Sequence, residues 1–203
     1  MGHKILALLL LMMVSSASYS ELVIRVTKGN DKPTKIAIAP IDKAGIQIPE
    51  DISRIVEADL KRSGLFETID RRNMLAFPGR AQDVYYRDWR LLGTEYLIAG
   101  QLRLVGAGRY QLEFSLLNVT AQKTVLTHKV SGSISQMRDL AHLVSDKVYE
   151  EITGIRGAFS TRLAYVTAIR NNGKYTYRLN VADADGAREK LVLESGEPIM
   201  SPS

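Results

Sequence analysis

The 203-residue sequence contains no cysteine and only three histidines. Disulfides, thiolate nucleophiles and sulfur-based metal sites are therefore excluded together. Only His128 and His142 lie beyond the first twenty residues, and no Gly-x-Ser-x-Gly elbow is present to hold a serine nucleophile. A zinc site built from two histidines would have to recruit carboxylates. The sequence predicts no catalytic, cofactor-binding or metal-binding residues, and so a protein that is not an enzyme.

The two histidines also have simpler interpretations. His128 shares one face of a predicted strand with Leu126 and Val130, which favours a histidine packed on a sheet. His142 is predicted on the polar side of a helix. The stretch 183–186, Asp-Ala-Asp-Gly, resembles the start of a calcium loop, but it lacks the glutamate at the required spacing and is predicted to be a strand turn.

Charge of one sign does not accumulate anywhere along the chain. The sequence has 27 Lys and Arg against 22 Asp and Glu, a formal net charge of +5. The densest basic stretch is Arg71-Arg72 followed by Arg80, Arg87 and Arg90. Nucleic-acid sites usually show a clustered basic face. A solvated surface is the favoured interpretation, and no nucleic-acid partner is predicted.

The first twenty residues have the pattern of a cleavable signal peptide. Lys4 is followed by the apolar run 5–14 and then by the small residues of 15–20. Such a run gives roughly 15 Å of helix, about half of what a bilayer core requires. The sequence therefore predicts export to the periplasm, cleavage after Ser20, and no direct membrane insertion after the signal is removed.

Residues 34–157 are predicted to form one α/β domain with a mixed β-sheet and two main helices. Strand patterns and helical spacing alternate, with a hairpin in the middle. Pro49 is expected in the first turn of the first main helix. The predicted strands cover 35–41, 65–70, 96–104, 110–116 and 123–131, the main helices 49–62 and 137–152, and a short helix 85–92. The hairpin is expected to bury one face.

Residues 158–203 show a different pattern of short strands separated by turn clusters. Strands are predicted at 162–169, 175–182 and 191–194, with turns at 171–173 and 183–186. This spacing is typical of an incomplete first β-propeller blade.

Two further features admit more than one interpretation. The run Leu22, Val23, Ile24, Arg25, Val26 and Thr27 is β-prone, and the residues 28–33 behind it are turn formers. Segment 21–33 is either an extended partner-binding strand with its tether or the first strand of the domain's own sheet. Trp89 with Tyr85 and Tyr86 suggests a polysaccharide- or peptidoglycan-binding platform, although packing and loop cover explain these aromatics more simply.

Several stretches resemble the TolB family. They are 58–66 at the exit of the first helix, 89–101 at the approach to the hairpin, and above all 152–166, which is similar to the family's junction between amino-terminal domain and propeller. Stretches 183–186 and 197–202 resemble the first blade of that propeller. Whole family members continue through six blades, which implies a fragment or an incomplete reading frame.

The resemblance implies a periplasmic, protein-binding component of the Tol-Pal system, which maintains outer-membrane integrity and supports constriction at cell division. It implies that Leu22 to Thr27 bind the carboxy-terminal domain of TolA. Pal binding belongs to the propeller, which is largely missing here. A propeller-associated part of a serine peptidase is an alternative, but it would need a nucleophile elbow.

Overall fold

The computed structural model describes residues 32–200. The chain divides into two units, Met1–Asp31 and Lys32–Ser203, and all described residues lie in the second. The predicted signal peptide falls outside the described residues. Within 32–200, no helix combines the length and apolar character needed to cross a membrane.

A five-stranded mixed sheet forms the centre of the α/β part. Its strands are β1 (Thr34–Ile38), β2 (Phe66–Thr68), β3 (Tyr96–Gly106), β4 (Arg109–Asn118) and β5 (Lys123–Ser133). Their order across the sheet is β2-β1-β3-β4-β5. β1 pairs in parallel with both β2 and β3, whereas β3, β4 and β5 form an antiparallel meander. The mixed α/β fold predicted from the sequence is confirmed.

Two helices cover one face of this sheet. They are α1 (Ile52–Arg62) and, after the short α2 (Tyr86–Leu91), the long α3 (Met137–Thr153). In β1, Ile36 and Ile38 face these helices, and the alternate residues face the opposite side. α3 ends at Gly154, whose φ of 72° is the left-handed conformation that glycine adopts most easily at a helix end.

The start of α1 lies later than the sequence predicted. Asp51 is the N-cap, and its side chain accepts hydrogen bonds from the backbone N–H groups of Ser53 and Arg54. Pro49 therefore precedes the helix, and its expected place in the first turn is wrong. The side chain of Asp51 satisfies two free helix donors, so the helix begins just after it.

Asp51 also pairs with Arg71, whose Nη1 lies 2.7 Å from Oδ2. Burial alone would raise the pKa of Asp51, but the hydrogen bond and charge of Arg71 and the cap hydrogen bonds hold this pKa below its ordinary value of 3.8. The carboxylate is about two-fifths exposed, so solvent screening keeps the contribution of the pair small.

Asp51→Asn is expected to lower the free energy of unfolding by about 0.5–1 kcal/mol at pH 7, because asparagine can still cap the helix but cannot pair with Arg71. Since the folded pKa is depressed, the carboxylate stabilises fully above the unfolded pKa and loses its effect as the pH falls through the folded one. The difference between the two proteins should therefore shrink below about pH 4. Urea unfolding across pH 2–7 measures this difference in the free energy of unfolding. A difference that persists unchanged at pH 2 would contradict a stabilising role for the ionised Asp51 carboxylate.

The other face of the sheet is covered by residues 71–92. This segment contains two 3-10 turns, Arg71–Asn73 and Ala81–Asp83, followed by α2. Trp89 is 1% exposed and packs with Met74 and Val84 against a second apolar cluster. The strands and the residues that directly follow β1 and β4 contribute to that cluster Ala37, Ala39, Leu97, Ala99, Leu117 and Val119. The hairpin is thus buried on both faces near this segment, and the predicted single buried face is wrong there.

A second, three-stranded antiparallel sheet follows. It contains β6 (Arg162–Asn171), β7 (Lys174–Asp183) and β8 (Lys190–Ser195), in sequential order. Asn172 and Gly173 connect β6 to β7, and both have positive φ, 48° and 81°. Type I′ two-residue hairpin loops need positive φ at both positions, and Asn-Gly adopts this conformation readily. The predicted three-stranded start of a propeller is confirmed.

Candidate functional site

The residues predicted to bind a partner, Leu22, Val23, Ile24, Arg25, Val26 and Thr27, lie outside the described residues. Within residues 32–200, buried polar side chains gather where α1, α3 and the three-stranded sheet meet. We call this place the junction. Its buried polar and charged residues are Asp59, His142, Ser145, Asp146 and Asp183.

Asp59 is the centre of a hydrogen-bond network between α1 and α3. It is completely buried. Its Oδ2 lies 2.7 Å from Nδ1 of His142 and accepts a hydrogen bond of 2.8 Å from the hydroxyl of Ser145. Its Oδ1 accepts a hydrogen bond of 2.7 Å from Arg62. The buried carboxylate therefore has polar partners on both oxygens, as a charge away from water requires.

Arg138, near the start of α3, connects the α/β part to the turn between β7 and β8. Its guanidinium is 12% exposed and pairs with Glu50, Asp183 and Asp185. Arg188 in the same turn pairs with Asp183, at 2.6 Å, and with Asp139 of α3. Charged groups from α3 and from the second sheet are thus interleaved across the junction.

The acidity of the junction groups reflects this pairing. Burial would raise the pKa of Asp185, but the backbone N–H of Ala187 and the charge of Arg138 together lower it below its usual value. Hydrogen bonds to Asp183 and Asp139 raise the pKa of Arg188. These groups remain charged near neutral pH and hold the junction together as ion pairs.

Asp146 anchors the connection between the two sheets. Its Oδ1 accepts a hydrogen bond of 2.7 Å from the backbone N–H of Phe159, and its Oδ2 accepts bonds from the N–H and hydroxyl of Ser160. Gly157 passes so close that a Cβ at this position would lie 2.5 Å from Cα of Asp146. Only glycine fits this approach without displacing the helix backbone.

The other predicted residues are not brought into a shared site. His128 lies on β5, half-buried, with its ring edge-on to Phe114 at 6.0 Å between centroids, so it is the packed sheet histidine that the sequence predicted. Residues 183–186 form the β7–β8 turn, also as predicted. Trp89 is buried, whereas Tyr85 is 76% exposed. A sugar platform needs an exposed ring, so Trp89 does not supply one.

The prediction for His142 is wrong. It is 2% exposed and faces Asp59 rather than solvent. Asp59 and Asp146 are not among the residues that the sequence predicts to be functional. A signal for Asp59 was present, because it lies seven residues after Ile52 and thus on the apolar stripe of α1. Asp59, His142 and Asp185 together place nitrogen and oxygen atoms within 4.8 Å of one another, close enough to share a cation.

Comparison with known proteins gives consistent matches. A family model described as the TolB amino-terminal domain matches residues 22–125, and one described as the TolB beta propeller domain matches residues 149–203. The Tol-Pal system protein TolB of Marinomonas sp. (strain MWYL1) is 50% identical over 195 residues, which cover 95% of this chain and 45% of the relative. TolB of Pseudomonas fluorescens (strain SBW25) is 44% identical over 194 residues. The match covers 94% of this chain and 44% of the length of that relative.

A solved structure agrees with these sequence matches. The crystal structure of TolB from Acinetobacter baumannii superimposes with a TM-score of 0.72 at 34% identity, over 87% of this chain and 42% of that one. The chain spans a little under half the length of the curated relatives that it matches. The family model, the sequence identities and the shared fold together show that the chain belongs to the TolB family of Tol-Pal system proteins.

Proposed function

We propose that this chain is a periplasmic, protein-binding component of the Tol-Pal system that binds the carboxy-terminal domain of TolA through residues 22–27. In this role it helps to maintain outer-membrane integrity and supports constriction at cell division. The observation that carries the proposal is the match to the TolB amino-terminal family model, which begins at residue 22 and thus includes the whole segment.

The chemistry of the segment supports strand pairing as the mode of binding. Residues 22–27 are Leu-Val-Ile-Arg-Val-Thr, rich in β-branched side chains. An extended segment of this kind binds by adding a strand to an exposed sheet edge of its partner. Main-chain hydrogen bonds then supply affinity, and alternate side chains supply selectivity.

The described part of the chain would serve as the scaffold for this segment. We propose a domain boundary near residue 157, with an α/β domain at 34–157 and the start of a propeller at 158–203. Asp146 and Arg138 would then fix the angle between the two domains. Pal binding is proposed to require propeller blades beyond the three strands described here.

Calorimetric titration with the TolA carboxy-terminal domain tests the proposal. The chain from Glu21 onward should bind, and removal of residues 21–31 should abolish binding. Ile24→Pro, which removes a main-chain donor, should weaken binding by at least about tenfold, or about 1.4 kcal/mol. Ile24→Val is the matched control, because it keeps the donor and the β-branched side chain, and its affinity should change little.

The shortened chain must first show the circular dichroism spectrum and unfolding midpoint of the longer one. If it is folded and still binds TolA equally well, the segment does not carry the function. Binding would then have to reside on the surface of the α/β domain.

A further inference from the structure

We propose that Nε2 of His142 and a carboxylate oxygen of Asp185 bind a zinc-like divalent cation at the junction, with Asp59 orienting the imidazole. This goes beyond the proposed partner binding and does not depend on it. One nitrogen or oxygen atom from each residue lies within 4.8 Å of the others. The two ligands come from α3 and the β7–β8 turn, so a shared cation would join the α/β part to the second sheet.

The strongest indication is the imidazole of His142. It is 2% exposed, and its Nε2 atom has no hydrogen-bond partner among the residues that the structure describes. A buried polar atom without a partner is destabilising, so a ligand at this position is favoured. The opposite nitrogen, Nδ1, lies 2.7 Å from the carboxylate of Asp59.

This arrangement is the one that metal-binding histidines adopt. A carboxylate that accepts the proton of one ring nitrogen fixes the tautomer, orients the ring and makes the other nitrogen a better ligand. The contact between Nδ1 and the Asp59 carboxylate turns Nε2 away from Asp59, on the side of the ring where a metal would bind. Asp59 is itself held by Ser145 and Arg62, so the ring is positioned by a rigid network.

Asp185 can supply a carboxylate oxygen to the same cation. Its Oδ1 accepts the backbone N–H of Ala187, and its Oδ2 pairs with Arg138. An ionised carboxylate has about four lone-pair positions, so these two contacts leave room for a metal ligand.

The donor set favours zinc over calcium or magnesium. Imidazole with carboxylate oxygens suits Zn²⁺, whereas Ca²⁺ and Mg²⁺ prefer oxygen ligands throughout. The surrounding charges are nearly balanced, because Arg62 and Arg138 accompany Asp59 and Asp185. The sequence alone predicted no metal site, since the required carboxylates are remote in the chain and only the fold recruits them.

Titration with zinc chloride tests the site. The untagged chain from Glu21 onward should bind one Zn²⁺ per molecule and unfold at a higher temperature in its presence. Calcium chloride is the control ion and should give no shift. His142→Gln should weaken Zn²⁺ binding by at least about tenfold, whereas His128→Gln should leave it unchanged. No zinc binding by the unsubstituted chain, or loss with His128→Gln instead, would overturn the proposal.

A measurement on the unsubstituted chain covers the case in which His142→Gln fails to fold. Long-range ¹H–¹⁵N spectra resolve the ring nitrogens of both histidines. Stoichiometric Zn²⁺ should shift the Nε2 resonance of His142 and leave those of His128 in place. A His142 ring that does not respond to zinc would rule the site out, and TolA titration would be unaffected by that result.

Discussion

Replacing Asp59 by alanine is expected to lower the free energy of unfolding by about 3–5 kcal/mol, the range observed when one partner of a buried charged network is removed. Asp59 is completely buried and accepts hydrogen bonds from Arg62 and Ser145 beside its contact with His142. Alanine would leave a buried hydroxyl and a buried imidazole without their shared acceptor. It would also open a small cavity between α1 and α3.

Urea unfolding followed by circular dichroism measures this loss. The buffer should contain a chelator, so that any effect of a bound cation is kept separate. Asp83→Ala is the matched control, because Asp83 pairs with Arg80 at the surface and its removal should cost less than about 1 kcal/mol. Asp59→Asn keeps the shape and one acceptor oxygen. Its loss of stability should therefore lie between those of Asp59→Ala and Asp83→Ala. Equal losses at Asp59 and Asp83 would show that the network does not stabilise the fold.

The sequence predicted the regular elements well because their apolar spacing is a local property. α3 was predicted at 137–152 and is observed at Met137–Thr153. The central hairpin and the three strands of the second sheet also lie within a few residues of their predicted bounds. Where a boundary moved, as at Pro49, a side-chain hydrogen bond from Asp51 decided the position.

The junction could not be predicted in the same way, because its contacts join residues that are far apart in the chain. Asp59 and His142 are 83 positions apart, and Arg138 and Asp185 are 47 apart. Spacing within one helix shows which face a residue occupies but not what lies opposite. The polar character of His142 alone predicts a solvent-facing side chain, because the carboxylate that makes its burial possible is remote in the sequence.

One local signal was nevertheless present. Asp59 and Ser145 both lie on the apolar stripes of their helices, at seven residues from Ile52 and eight from Met137. A polar residue on such a stripe must find a partner when the helix packs. Two of them on two helices predict a buried polar contact between those helices, although not its geometry.

Replacing Arg138 by methionine is expected to have the second large effect, a loss of about 3 kcal/mol concentrated at the junction. The guanidinium of Arg138 joins Glu50 to Asp183 and Asp185, and both aspartates are largely buried. Methionine retains the apolar stem but leaves these carboxylates with less positive charge nearby. The three-stranded sheet should then separate from α3 more often than it does in the unsubstituted chain.

Hydrogen exchange distinguishes this outcome from a general loss of stability. Amides of β6, β7 and β8 should exchange faster in Arg138→Met, while those of β3 and β4 should change much less. Arg178→Met is the matched control, because Arg178 pairs with Glu194 on the exposed face of the same sheet and its loss should cost less than about 1 kcal/mol. Uniform acceleration across both sheets would contradict a local role for Arg138. Selective exchange in the second sheet would show that Arg138 links the two parts of the protein, since its three carboxylate partners come from both sides of the junction.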